Sequence, residues 1–347
     1  MPPRGAETPR PSFALFTPAL SALASLVTDT LCDAPLPEAC RAFLTNGKWL
    51  RPRFLFASAT LARNAPSGPA VVQAAAAIEM VHAACLLHDD IVDRCSERRG
   101  IPALHMTQGS RATVLTGTHL VHLALELVAG LPAFARRRMA EVAQLVARSE
   151  LTEIARTFDI TIGVDERLAI MEEKTASVFS LACELGGFLV GRGAPQRTHL
   201  RQCGTAFGML YQIADDLDDL FGSDLEVGRL PGTDLREGVI SLPLVYGLAS
   251  PFRTALIAAL EAGRTGEDPV AALARTRLLL QGSGALEQVA ATSLRYTNGA
   301  RLHLRALPRS RGTRWMESTL NETMSRIEDR LERARALPPT GCKRTHA

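Results

Sequence analysis

Apolar residues recur along most of the chain at intervals of three and four, while long β-branched or strictly alternating runs are scarce. That period stacks apolar side chains on one face of an α-helix, so the chain is expected to be nearly all α. The pattern predicts helices over 15–32, 36–45, 52–64, 69–94, 107–129, 134–159, 165–192, 197–222, 241–249, 252–263, 268–281, 283–308 and 312–336. Breakers stand between them, as in Pro66 with Gly68, Gly100 with Pro102, Gly130 with Pro132 and Gly191 with Gly193. One connector, 222–240, is long and rich in Gly and Asp, and long loops in compact domains are often functional. No internal repeat or linker divides the pattern, so residues 13–337 read as one large helical domain. Prolines mark 1–12 and 338–347 as disordered tails.

Composition narrows the class. Hydrophobic residues at 46% and charged residues at 22% are globular proportions, which excludes a disordered or fibrous chain. Thirty-nine Lys and Arg against 36 Asp and Glu leave +3, which makes no electrostatic case for nucleic acid. Seven cysteines, at 32, 40, 85, 95, 183, 203 and 342, form no C-x-x-C pair. Neither a disulfide framework nor a zinc site is expected, and a reducing cytoplasm is the simplest location. The start, MPPRGAETPRPS, lacks the apolar run of a signal peptide, and no uninterrupted apolar stretch reaches about 18 residues. No integral membrane segment is therefore expected.

Two carboxylate clusters stand out. The predicted helix 69–94 ends in HDDIVD, where Asp89 and Asp93 lie one turn apart on one face and Asp90 points about 100° away. The predicted helix 197–222 ends in ADDLDD, where Asp215 and Asp219 stack in the same way with Asp218 near that face. Like charges at this spacing repel, and carboxylates at a helix C-terminus oppose its dipole. A cation would relieve both, and Mg²⁺ suits best because it takes one or two carboxylates and fills its other sites with water and phosphate oxygens. Either cluster alone reads as a solvated acidic helix end; the pair, each preceded by buried-looking helix, points to a site.

Fixed cations occur in three further segments: NGKWLRP with Lys48 and Arg51, RRGIP with Arg98 and Arg99, and MEEKTASVF with Lys174 and Thr175. Guanidinium pairs fork onto phosphate oxygens. Taken in order, NGKWLRP, IEMVHAACLLHDDIVDRCSERRGIP, EEKTASVF, and YQIADDLDDLFG followed by GRLPGTDLREGVISLP, the chain resembles the trans-isoprenyl (polyprenyl) diphosphate synthases from about residue 40 to 250.

The resemblance implies a single all-α bundle of the isoprenoid synthase type with a central cavity. It implies an enzyme that joins isopentenyl diphosphate to an allylic diphosphate and releases pyrophosphate. By the same resemblance, Asp89, Asp93 and Asp215 would ligate Mg²⁺, with Asp90, Asp216 and Asp219 in supporting contacts, Asp219 as a further metal ligand. Arg98, Lys174 and Arg229 would hold the allylic diphosphate, and Lys48, Arg51, His82 and Arg99 isopentenyl diphosphate. Thr175 and Gln212 would line the reacting centre. A homodimer is implied as well.

Four departures from the family pattern are visible. Arg229 and Val239 stand where the family usually has Lys, with Arg236 near Val239 as a substitute; Thr118 replaces an acid; and Asn46-Gly47 replaces Gly-Gly. Below the first cluster, Cys85, Ala84, Val81 and Ile78 share the helix face under Asp89. In the family, bulky aromatics there stop elongation early, so small Ala84 and Cys85 imply a product of geranylgeranyl length or longer, with Met80 or Leu127 as candidates for a floor. Two other classes fit part of the pattern. A terpene cyclase would act on one diphosphate, but cyclases carry an N-x-x-x-S-x-x-x-E type second site where this chain has ADDLDD. A non-catalytic subunit of a heteromeric synthase would tend to lose the Asp motifs.

Overall fold

The computed structural model describes residues 13–32, 34, 36–45, 47–62, 67–98, 101–222, 231–265 and 268–336. A 3₁₀ turn, Phe13–Phe16, leads into α1 (Thr17–Cys32), followed by α2 (Glu38–Thr45), α3 (Leu50–Ala59) and α4 (Pro69–Val92). A hairpin of two-residue strands, β1 (Glu97–Arg98) and β2 (Ile101–Pro102), precedes α5 (Leu104–Gln108), α6 (Ser110–Ala129), α7 (Ala133–Ala155) and α8 (Val164–Met171). A single π turn, Glu172–Ala176, joins α8 to α9 (Ser177–Leu189). Then come α10 (Ala194–Phe221), α11 (Thr233–Glu237), α12 (Leu242–Leu248), α13 (Arg253–Thr265), α14 (Pro269–Gly282), α15 (Ala285–Arg305) and α16 (Arg311–Ala336).

The all-α expectation holds, with instructive local differences. Gly109 at φ +81° breaks the predicted helix 107–129 into α5 and α6, a conformation that L side chains rarely adopt. Arg98 pairs with Ile101 in the small hairpin, and the described part of the long connector contains the short helix α11. The tails 1–12 and 338–347 lie outside the described residues.

The core is built on α4, α9 and α10. Gly204 and Gly208 on α10 let its backbone approach α9, since a Cβ at Gly204 would stand 2.5 Å from the Phe179 carbonyl and one at Gly208 would collide with Ala176. Phe54, Phe179, Phe207 and Trp315 pack edge-on or tilted around that contact, with centroids 4.2 Å apart for Phe54 and Phe207 and 5.1 Å for Phe54 and Trp315. Such pairs add about 0.5–1.5 kcal/mol each beyond the area they bury. By length and composition α4 and α6 could each cross a membrane. In this fold α4 is instead a central core helix, buried from Val71 to Ala84 apart from Gln73, Val81 and His82. On α6, Val114, Leu115 and Leu125 remain exposed.

Candidate active site

The π turn is the bridge between the two carboxylate clusters. One extra residue in a helical turn shifts the face that follows, and such bulges recur at functional sites. Here it lets Lys174 face the first cluster while its neighbour Thr175 donates to Gln212 Oε1 at 2.7 Å. Gln212 Nε2 in turn donates to Asp216 Oδ1 at 2.9 Å, so a polar chain runs from the turn into the second cluster.

At the first cluster, α4 ends with its last amides intact, the Asp93 N–H donating to Asp89 O at 2.8 Å. Arg94 then takes φ +50° and turns the chain back, so that Arg98 Nε reaches Asp90 Oδ1 at 2.5 Å. Asp89 and Asp93 are left facing Lys174 together with two acids of α7, Glu150 and Glu153. Lys174 Nζ lies 2.8 Å from Glu150 Oε2 and also binds Glu153. Arg167 donates to Glu153 Oε1 at 2.6 Å.

The acids outweigh the cations, and the protonation equilibria register it. Burial, reinforced by the charge of Glu150, raises the Asp89 carboxyl to about 7 against the pull of Lys174. Burial likewise raises Asp93 and Glu150. Burial also opposes ionisation of Glu153, but Lys174 and Arg167 prevail and hold it at about 2. Lys174 is held well above its ordinary value, because Glu153, Glu150 and Asp89 outweigh its own burial. It is a permanent cation.

The second cluster is balanced differently. Asp218 accepts from Arg330 Nε at 2.6 Å and from Arg326, which also reaches Asp215 Oδ1 at 3.2 Å. Asp216 is buried, 3.7 Å from Arg167, and accepts the Leu242 N–H at 3.1 Å. Asp219, expected as a metal ligand, is held by backbone amides in this structure. Its carboxylate is fully buried and accepts the N–H groups of Thr233 at 3.1 Å and Asp234 at 3.2 Å. It thus receives the first orphan amides of α11, as a capping carboxylate does. Asp215 is the most exposed carboxylate of the four.

The other expected residues divide as follows. Arg51 Nη1 lies 2.8 Å from His82 Nε2, and its guanidinium covers the Phe179 ring at 4.9 Å, so this pair is assembled. Lys48 is exposed on the turn before α3, beside Trp49 at φ +47°. Arg99, Arg229 and Asn46 lie outside the described residues. Arg236, the candidate substitute at the Val239 departure, is exposed and bonds Thr233 Oγ1 at 2.8 Å and Pro231 O at 3.1 Å. Thr118 turns its hydroxyl onto Val114 O at 2.9 Å.

Below Asp89, Ala84 and Ile78 are buried while Val81 and Cys85 are half-buried; Met80 is fully buried and Leu127 half-buried. Burial, and then the charge of Asp89, raises the Cys85 thiol to about 12, which makes it an inert wall residue. Two hollows among the described residues lie away from this face. One of about 530 Å³ is an open surface dish by Arg138, Glu141 and Arg148, and a smaller cleft lies by Cys40, Leu87 and Asp90; neither touches Val81, Ala84 or Cys85.

Five residues of this site were not visible in sequence: Glu150, Glu153, Arg167, Arg326 and Arg330. Their only signal was spacing, Glu150 with Glu153 at i,i+3 and Arg326 with Arg330 at i,i+4. Spacing cannot say which distant cluster such a pair will meet.

The donor set suits a small hard cation. Asp89 and Asp93 carry charge that Lys174 shares with two other acids, yet among the described residues no three His, Cys, Asp or Glu side chains are gathered into a ready-made metal cage. A cation held by one or two carboxylates and completed by water and phosphate oxygens matches that arrangement.

Comparison with known proteins places the chain. A profile of the polyprenyl synthetase family matches residues 33–276. Nonaprenyl diphosphate synthase of Mycobacterium tuberculosis is 34% identical over 82% of this chain and 84% of its own length. Heptaprenyl diphosphate synthase component 2 of Geobacillus stearothermophilus is 32% identical over 78% of this chain and 83% of its own. Among solved structures, a polyprenyl synthase of Caulobacter crescentus complexed with calcium and isoprenyl diphosphate superposes with a TM-score of 0.83 at 31% identity, covering 93% of this chain and 99% of that one. With its motifs, its helical bundle and these relatives in agreement, this chain belongs to the polyprenyl synthetase family.

Proposed function

We propose that the protein condenses isopentenyl diphosphate with an allylic diphosphate to give a longer all-trans polyprenyl diphosphate, with release of pyrophosphate. The observation that carries this reading is the π turn, which presents a permanently cationic Lys174 to Asp89 and Asp93 and ties Thr175 through Gln212 to the second cluster. Mg²⁺ would be held by Asp89, Asp93 and Asp215 and would supply positive charge against the diphosphate leaving group.

The chain's own residues do the rest. Lys174 offers an ammonium that stays protonated throughout, fixed by Glu150 and Glu153 so that it need not reorganise as charge develops on the departing oxygen. Arg51, braced by His82 and the Phe179 ring, is placed to hold the second diphosphate. Ionisation of the allylic C–O bond leaves a delocalised cation, the isopentenyl double bond attacks it, and a proton is lost. No protein nucleophile is needed. The aliphatic and sulfur wall below, from Cys85 to Ile78, keeps water from the cation and receives the growing tail.

A product of geranylgeranyl length or longer follows from the small Ala84 and Cys85, and the names of the nonaprenyl and heptaprenyl relatives support it. Incubation of the purified protein with isopentenyl diphosphate and dimethylallyl, geranyl or farnesyl diphosphate, with Mg²⁺ or EDTA, tests the reading. Elongated products that vanish with EDTA are expected. Pyrophosphate release without consumption of isopentenyl diphosphate would indicate cyclisation, and no turnover with any primer would indicate a subunit role. Ala84→Phe is expected to shorten the product in the same assay, and an unchanged product length would refute the tail placement.

A homodimer is part of the proposal. It is supported by the apolar residues that α6 leaves exposed, the adjacent Val114 and Leu115, the latter at 68%, and Leu125 nearer its end. Sedimentation equilibrium of the wild type and of Leu115→Glu measures it directly. A cytoplasmic location is proposed on the cysteines, since the six described ones are all free.

A further inference from the structure

The end of the bundle remote from the aspartates is assembled from well-separated segments. Arg197 at the start of α10 covers the rings of Phe134 at the start of α7 and Phe188 at the end of α9, at 4.6 and 5.3 Å. His199 Nδ1 lies 3.1 Å from His303 Nδ1, which brings in the end of α15. Thr60 Oγ1, just beyond α3, bonds Ser310 Oγ at 2.9 Å and accepts the Gly312 N–H at 3.0 Å, which brings in the turn into α16. Along α10 the 18 residues from Arg197 to Asp215 span roughly 27 Å at 1.5 Å per residue, so this end and the diphosphate end are opposite poles.

The remote pole is basic. The described parts of the connections that meet there, 60–62, 67–68, 130–132, 190–193 and 306–310, contain no Asp or Glu. Arg136, Arg137, Arg305, Arg309, Arg311 and Arg314 are all exposed on it. Against them stand exposed Glu126 and Glu317, while Glu184 is engaged by Arg138 and Glu141 by Arg138 and Arg137. Arg192 and Arg197 each keep a buried Nε without a hydrogen-bond partner. A net charge of only +3 therefore conceals a polarised molecule. Apolar groups are interleaved with these cations: the half-buried rings of Phe134 and Phe188, and Leu302 at 67% exposure. Guanidiniums on an apolar rim suit an interface that is anionic outside and apolar within.

We propose that this pole docks on anionic lipid bilayers. The charge argument stands on the arginines alone. The choice of a bilayer over another polyanion rests on the proposed function, because the tail face running from Asp89 down α4 leads toward this pole and a long prenyl tail is bilayer-soluble. Docking here sets the apolar end of the product against the membrane while the diphosphate end stays in water.

Co-sedimentation of the full chain with phosphatidylcholine vesicles, and with vesicles containing about one third phosphatidylglycerol, tests it without substrate. Binding to the anionic vesicles alone, weakening with salt, is expected. A variant combining Arg136→Gln, Arg137→Gln, Arg309→Gln and Arg311→Gln is expected to bind them at least about tenfold more weakly, with an unchanged thermal melt and unchanged elongation in detergent. Equal binding to both vesicle types, an unaffected variant, or capture of poly(U) RNA with no vesicle binding would each overturn the proposal. Elongation in detergent is scored separately, so a failure here leaves the proposed chemistry standing, and a failure there leaves the arginine-dependent binding measurable.

Discussion

The two aspartate clusters share a sequence pattern, carboxylates four residues apart at the end of a long apolar helix, yet the fold balances them in opposite ways. At the end of α4, Asp89 and Asp93 meet two more acids from α7 and share Lys174 with them, while Arg98 is paired with Asp90 and Arg167 with Glu153, so the acids outnumber the cations. At the end of α10 the aspartates are all engaged: Asp218 by Arg330 and Arg326, Asp215 by Arg326, Asp216 by Gln212 and a backbone amide, and Asp219 by the amides of α11. The first cluster is poised to take a cation; the second anchors α11, α12 and α16 and holds its half-buried Asp215 against Arg326. Equal spacing in sequence therefore did not imply equal roles, because the partners arrive from helices far away in the chain.

The sharpest way to break this contrast is to remove one carboxylate from each cluster. Asp89→Asn is expected to lower elongation about 10²–10³-fold or more while the fold persists, as loss of a key electrostatic group does, and full activity would refute its metal role. Arg330→Met removes the buried partner of Asp218, and loss of a buried ion-pair partner costs about 3–5 kcal/mol. Denaturant melts should therefore show it as the largest stability effect, with Arg326 only partly compensating. Asp219→Asn should behave as a structural change, losing about 1–3 kcal/mol by orphaning amides of α11, with activity per folded molecule largely retained.

A pH test separates the charge-balanced acid of the first region from its neighbours. The Glu153 carboxyl lies at about 2 in the fold against 4.5 in the unfolded chain, so the unfolded state binds more protons between those values. Its stabilisation is full above about 4.5 and is lost as pH falls toward about 2. Glu153→Gln is accordingly expected to destabilise at pH 7 and to converge on the wild type in acid, which urea melts at several pH values would show. The smallest effect belongs to Arg326→Gln. Its side chain is 40% exposed and Asp218 keeps Arg330, so it should cost no more than about 1 kcal/mol.

Much of this was legible before any coordinates. Period-3.6 patterning located the long helices within a few residues, because α4, α9 and α10 must bury apolar faces and nothing local opposes helix there. Where local geometry decided, the pattern failed: Gly109 at positive φ ended α5, and the π turn inside 165–192 has no periodic signature. Motif order singled out Asp89, Asp93, Lys174, Thr175 and Gln212, and the fold turns Lys174 toward the first pair and bonds Thr175 to Gln212. The amides of Thr233 and Asp234 that Asp219 accepts belong to a segment read as loop, so its spacing from Asp215 gave no sign of them.

By itself the sequence determined the helical class, the two acidic helix ends and the cationic segments that accompany them, since each depends on residue type and short-range spacing. Only the tertiary structure decided which acids are neutralised. Arg326 and Arg330 lie more than a hundred residues from the aspartates they bind, and Glu150 and Glu153 reach Lys174 across a helix pair. Charge balance is a sum over neighbours in space, and a helical bundle draws those neighbours from many separate turns of the chain.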